Sequence, residues 1–128
     1  QVTTRPGHPL PHARIEDLHG RPLSTLDLVR PGRFLLIAGE EGAAWCDAAR
    51  AVSERTGLPL DAVRIGHLDG DLLDPRCHWL RRRGIAPDGA ILVRPDRCVG
   101  WRSTGTSADP SRELASALAR VLDRPVAA

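Results

Sequence analysis

The stretch "RFLLIAGEEGAAWCDAARAVSERTGLPLDAVRIG", residues 33–66, decides the fold. Its opening run, 33–39, is continuously apolar, as in a strand covered on both faces. Trp45, Ala48, Ala49 and Val52 then recur at i, i+3, i+4 and i+7, one face of a 3.6-residue period. That spacing predicts a helix from about Ala43 to Thr56, stopped at Gly57, where a left-handed residue can close the last turn. A second apolar segment, 60–66, follows. Two strands joined through one helix are expected to run parallel.

The flanks extend this unit. On the N-terminal side, "ARIED" reads as a short strand and His19-Gly20 as a turn. "STLDLV" reads as a short helix with Ser24 at its N-cap and Asp27 three residues later, the spacing of a capping box. Residues 1–12 carry three prolines and read as a lead-in or linker, which leaves 13–124 as the domain. On the C-terminal side, "HLDGDL" is a polar loop. Asp74-Pro75 has the form of a helix start, with "PRCHWLRRR" running to Gly84. Residues 89–94 and 97–102 form a hairpin around Pro95-Asp96. Asp109-Pro110 opens a last helix whose apolar stripe is Leu114, Ala117, Leu118, Val121 and Leu122. The order predicts an α/β fold of thioredoxin-like type: a mixed central sheet flanked by helices on both faces.

With 128 residues the chain suits one domain. Every basic residue is arginine, and the 18 arginines are dispersed among 16 acids for a net charge of +2. The aromatic content is one Phe and three Trp, so there is neither a basic field nor a stacking platform for nucleic acid. The "RRR" run at 81–83 complements the C-terminal dipole of the expected helix. No apolar run is long enough to span a bilayer, and no signal-peptide pattern opens the chain. Three widely spaced cysteines, an odd count, leave at least one free thiol, and a reducing cytoplasm is the simplest compartment.

Cys46 is the residue with the most chemistry to weigh. It sits near a helix N-terminus, where the dipole favours a thiolate, and it shares a face with Arg50 and Ser53, which predicts partial exposure. Asp47, Glu40 and Glu41 oppose ionisation. The position three residues on, where a resolving cysteine is needed, is Ala49. Without a thiol role, Cys46 reads as a small, semi-buried residue at a position that tolerates Ala or Ser. No His, Cys or carboxylate pair has metal-ligand spacing: His8 and His12 lie in the proline-rich lead-in, and Cys77 and His78 are adjacent. No glycine loop suited to a dinucleotide follows a strand. Of the tryptophans, Trp45 is expected in the core, and Trp79 and Trp101 in the core or against a partner.

The lead-in "GHPLPHARIEDLHGRPLSTLDL" is similar to that of peroxiredoxins, but Gly39 and Ala43 stand where that family places the Pro and the Thr or Ser before its peroxide-reactive cysteine. A closer likeness is carried by "GRPLSTLDL", by 32–66, by "GIAPDGAILVRPDRCVGWR" and by "ELASALARVL". These resemble the C-terminal thioredoxin-like domain of flavin-dependent aromatic hydroxylases, the para-hydroxybenzoate-, phenol- and dichlorophenol-hydroxylase group with its polyketide hydroxylases. Arg97 departs from the pattern, which has Gly after the turn Asp, and the loop at 67–74 is longer and more polar. Thioredoxins place a cis-proline directly before a strand, whereas Pro87 here is followed by Asp88-Gly89.

The resemblance implies a structural or docking domain that is not itself catalytic. FAD and NAD(P)H belong to upstream domains, which are also its partners, and in some members the domain contributes to dimer contacts. Two other readings stand beside it: a single-cysteine thiol enzyme using Cys46, and a freestanding interaction domain.

Overall fold

The computed structural model describes residues 3–128. Its elements are β1 (Arg14–Glu16), β2 (Pro22–Ser24), a 3-10 turn (Thr25–Leu28), β3 (Phe34–Ala38), α1 (Ala43–Thr56), β4 (Leu60–Gly66), β5 (Leu72–Leu73), β6 (Ala90–Val93), β7 (Val99–Ser103) and α2 (Pro110–Leu122). The strands form one mixed sheet in the order β2-β1-β5-β4-β3-β6-β7. β3 pairs in parallel with β4, from Phe34 opposite Leu60 to Ala38 opposite Arg64, and antiparallel with β6. Every residue of β3 is buried, because strands flank it on both sides and side chains cover both of its faces.

The two-residue period of the strands sorts the core into two layers. Phe34, Leu36, Ala38, Ala90 and Leu92 point to one face, where Trp45, Ala49 and Val52 of α1 meet Leu114, Ala117 and Leu118 of α2. Leu35, Ile37, Ile91 and Val93 point to the other, against Leu10, Ala13, Val29, Trp79 and Ile85.

Local signals set several boundaries. Gly57 closes α1 at φ 73°, and the Asp109 carboxylate accepts from the Arg112 amide at the start of α2. Ser24 and Asp27 form the reciprocal capping box, although the element they start is a 3-10 turn rather than an α-helix. At the β6–β7 turn Arg97 takes φ 67°, the left-handed region that favours glycine, which is the backbone reason a Gly suits that place.

The expected helix over 75–83 is absent, and a series of turns replaces it. Asp74 does cap, but its carboxylate gathers the amides of His78 (3.0 Å), Trp79 (2.9 Å) and Leu80 (2.8 Å). Cys77 sits at φ 58°, which breaks the helical run. Both α-helices therefore share one face, and the other is covered by the 3-10 turn, this turn segment and the lead-in. Nor does the "RRR" run serve a helix dipole: Arg83 is buried and forms a two-pronged ion pair with Glu40, at 3.1 and 3.2 Å.

The lead-in lies against the sheet. The Gly7 amide donates to Val99 O (2.7 Å), Val99 N to His8 O (2.8 Å) and Leu10 N to Arg97 O (2.8 Å), so it runs along the outer edge of β7. Thr4 is buried, donating to Arg83 O at 2.6 Å and accepting from Arg102 Nη1 at 2.9 Å.

Candidate functional site

The C-terminal end of β3 carries the residues that sequence reasoning weighed for chemistry. Gly39 to Gly42 lead from β3 into α1, and the 86–89 loop is laid directly over them. Glu41 N donates to Pro87 O (2.8 Å) and Gly39 N to Gly89 O (3.0 Å). A Cβ on Gly39 would lie 2.2 Å from Pro87 O, so only glycine admits this approach. No peptide bond among the described residues is cis. Trp45 Nε1 donates to Asp88 O (3.1 Å) and stitches the same loop to α1.

Cys46 lies in the first turn of α1, as the pattern predicted, but it is buried, with 2% of its surface exposed. The expected partial exposure is corrected: Cys46 belongs to the core cluster that α1 and α2 form against the sheet, while Arg50 on the next turn stays exposed. Burial pushes its thiol up to about 11 and outweighs the opposing pull of Arg50 and Arg64; Asp71 and Asp47 push the same way as burial. Asp47 was foreseen. Asp71 was not, since the loop after β4 brings it close only in the folded chain. Glu40 is spent on Arg83 instead.

Cys46 is therefore expected to resist a thiol reagent at neutral pH until the chain unfolds, which mass-spectrometric labelling with and without denaturant checks. Its ordinary value is 9.0, so the unfolded chain ionises first as pH rises. Stability from this group is complete below about pH 9 and is lost as pH rises toward 11, by about 3 kcal/mol. Cys46→Ala should lack that part of the alkaline decline.

Among the described residues no three His, Cys, Asp or Glu side chains group as a metal site. His8 is exposed, and His12 Nδ1 lies 2.7 Å from Ser24 Oγ. Those two residues line a shallow hollow of about 330 Å³ with Arg14, Pro22 and Leu23 at the β2 edge, well away from Cys46 in the strand order. Neither α-helix offers a flavin pyrophosphate an open N-terminus. Glu40 and Glu41 precede α1, and the Asp109 carboxylate already occupies the start of α2. No helix is long and apolar enough to cross a membrane among the described residues.

Trp45 and Trp79 are fully buried, and Trp101 is half-buried, edge-on to Trp45 with centroids 5.3 Å apart. Among the described residues, sequence spacing missed the close pair Cys77 and His67, with Sγ 3.5 Å from Nδ1. They lie ten residues apart across a loop, a separation that carries no local signal.

The sequence matches the family model described as aromatic-ring hydroxylase, C-terminal, over residues 3–125. It is 46% identical over 120 residues to aklavinone 12-hydroxylase RdmE of Streptomyces purpurascens, covering 94% of this chain and 22% of that protein. It superposes on the crystal structure of aklavinone-11 hydroxylase in a ternary complex with FAD and aklavinone with a TM-score of 0.86. There the identity is 44%, covering 96% of this chain and 22% of that one. A thioredoxin-like protein from Porphyromonas gingivalis matches at a TM-score of 0.63 and 13% identity over 96% of this chain and 95% of that one, a likeness of fold alone. The chain thus spans about a fifth of the length of the aromatic hydroxylases it matches. On these matches, its α/β fold is thioredoxin-like and the chain belongs to the aromatic-ring hydroxylase C-terminal family.

Proposed function

We propose that this chain is the C-terminal structural and docking domain of a flavin-dependent aromatic monooxygenase, and that it carries out no redox step itself. The observation that carries the reading is the family match over 3–125, with relatives about five times as long that are hydroxylases and monooxygenases. The site geometry supports it. A buried, hard-to-ionise Cys46 is a poor nucleophile, and Ala49 offers no resolving thiol. In this reading FAD and NAD(P)H act in upstream domains of the same polypeptide, in the cytoplasm. Residues 1–12 are the connector that leads from those domains into the folded unit, 13–124, its stretch 7–10 lying along the β7 edge.

Two measurements test this. The native polypeptide should carry roughly four hundred further residues upstream, opening on a dinucleotide-binding glycine motif; a native chain that lacks them overturns the reading. The 128-residue chain mixed with excess FAD and desalted should elute without flavin absorbance, and stoichiometric flavin would refute the assignment of the cofactor to the upstream domains.

A further inference from the structure

We propose that Cys77 is the reactive thiol of this domain, a site of covalent modification by soft carbon electrophiles, with His67 as the positioning residue that donates to its sulfur. The inference is independent of the docking role, because it rests on one cluster within the turn segment that replaces the expected helix.

The geometry fixes which partner gives the proton. The Asp74 carbonyl receives the Cys77 amide at 3.1 Å and lies 3.1 Å from His67 Nδ1. A carbonyl oxygen can only accept, so a hydrogen bond there requires Nδ1 to carry its proton. The same nitrogen lies 3.5 Å from Cys77 Sγ, so its N–H, shared between the carbonyl and the sulfur, is placed to donate to the atom that attacks carbon.

The cluster is held in place from below. Asp74 is fully buried, and its carboxylate ties down the amides of His78, Trp79 and Leu80, which follow Cys77 directly. Cys77 itself is half-buried and His67 is exposed, so a small reagent has access. The other two thiols lack this combination. Cys46 is buried and pushed up to about 11, and Cys98 is half-buried beside the Arg94–Asp96 pair with no histidine against it among the described residues.

With iodoacetamide as the probe, Sγ forms a bond to the methylene carbon, the carbon–iodine bond breaks, iodide leaves with its electron pair and the thiol proton passes to solvent. No oxidant is needed. The experiment is a time course on the 128-residue chain at neutral pH, read by peptide mass spectrometry at each cysteine. Cys77 is expected to label about tenfold faster than Cys98, and Cys46 last. His67→Leu, of similar bulk but without a donor, should bring Cys77 down to the Cys98 rate. His67→Gln, whose amide can donate, should restore most of the difference. The Cys98 rate, unchanged throughout, reports that the fold is intact. Equal rates at Cys77 and Cys98 in the parent chain overturn the proposal, and so does an undiminished Cys77 rate in His67→Leu.

Discussion

Trp45→Ala is expected to lower the free energy of unfolding by about 3–5 kcal/mol, the largest single effect on the α1–α2 layer. The indole is 1% exposed and fills the space between the sheet, α1 and α2, among Leu36, Ala49, Leu92 and Leu118. Alanine would leave a cavity lined by both helices and by strands that pair on each side, so little collapse is available to refill it. The substitution also removes the Nε1 bond to Asp88 O, which ties the 86–89 loop to α1, and the edge-on contact with Trp101. Trp45→Phe should cost less, about 1–2 kcal/mol, since it keeps a ring but loses the hydrogen bond and part of the volume. Urea unfolding followed by far-UV circular dichroism reads both, and a thermal melt should show a fall in Tm of roughly 10–20 °C for alanine. A double-mutant cycle with Trp101→Ala should return a coupling of about 0.5–1.5 kcal/mol. A loss under 1 kcal/mol in Trp45→Ala would show that α1 and α2 do not close on this side chain.

What was legible in the sequence follows from how local its causes are. α1, β4 and α2 fall at their expected residues because their signals lie within a few positions: a helical apolar stripe, Gly57 in the left-handed region, and Asp109-Pro110 at a helix start. The parallel pairing of β3 and β4 and the β6–β7 hairpin follow from chain connectivity. The 75–83 segment carries the same local marks of a helix and does not form one. There the tertiary demands win. Trp79 must be wholly buried on the second face of the sheet, and Arg83 is drawn to Glu40, 43 residues away. These constraints, with the Asp74 clamp, fix a tight set of turns that a helix of the same residues would not satisfy.

The candidate site divides in the same way. The position of Cys46 at a helix N-terminus and the absence of a resolving partner could be read directly from spacing. Its burial could not, because the cover comes from a core cluster whose other members on α2 and the sheet are distant in sequence. The lead-in shows a related limit. Its prolines exclude a helix, but a proline-rich segment can still lie along a strand edge, and Thr4, Gly7 and Leu10 attach it there through distant partners. The Cys77–His67 pair is the extreme case, since the atom that gathers it is the main-chain carbonyl of Asp74, which no side-chain pattern records.

Asp74→Ala should cost about 3–5 kcal/mol, because one buried carboxylate organises a segment that has no repeating hydrogen-bond ladder of its own. Its two oxygens accept from three consecutive amides, and one of those belongs to Trp79, a residue with no exposed surface. Removing the acceptor leaves those donors without partners in a place water reaches poorly. The turn they define also positions the largest side chain of the second core layer. Asp74→Asn should be intermediate. Its carbonyl can keep part of the set, but its amide group presents hydrogens toward donors. Hydrogen exchange distinguishes this account from a general loss of stability: the amides of His78, Trp79 and Leu80 should lose protection first in Asp74→Asn, under conditions where the α1 and α2 amides remain protected. The same variant should slow iodoacetamide labelling at Cys77, since the carbonyl that aligns Cys77 with His67 belongs to the residue being loosened. If all amides lose protection together, Asp74 stabilises the domain as a whole rather than clamping this segment. A loss below about 1 kcal/mol in Asp74→Ala would mean that the turns hold their shape through the burial of Trp79 alone.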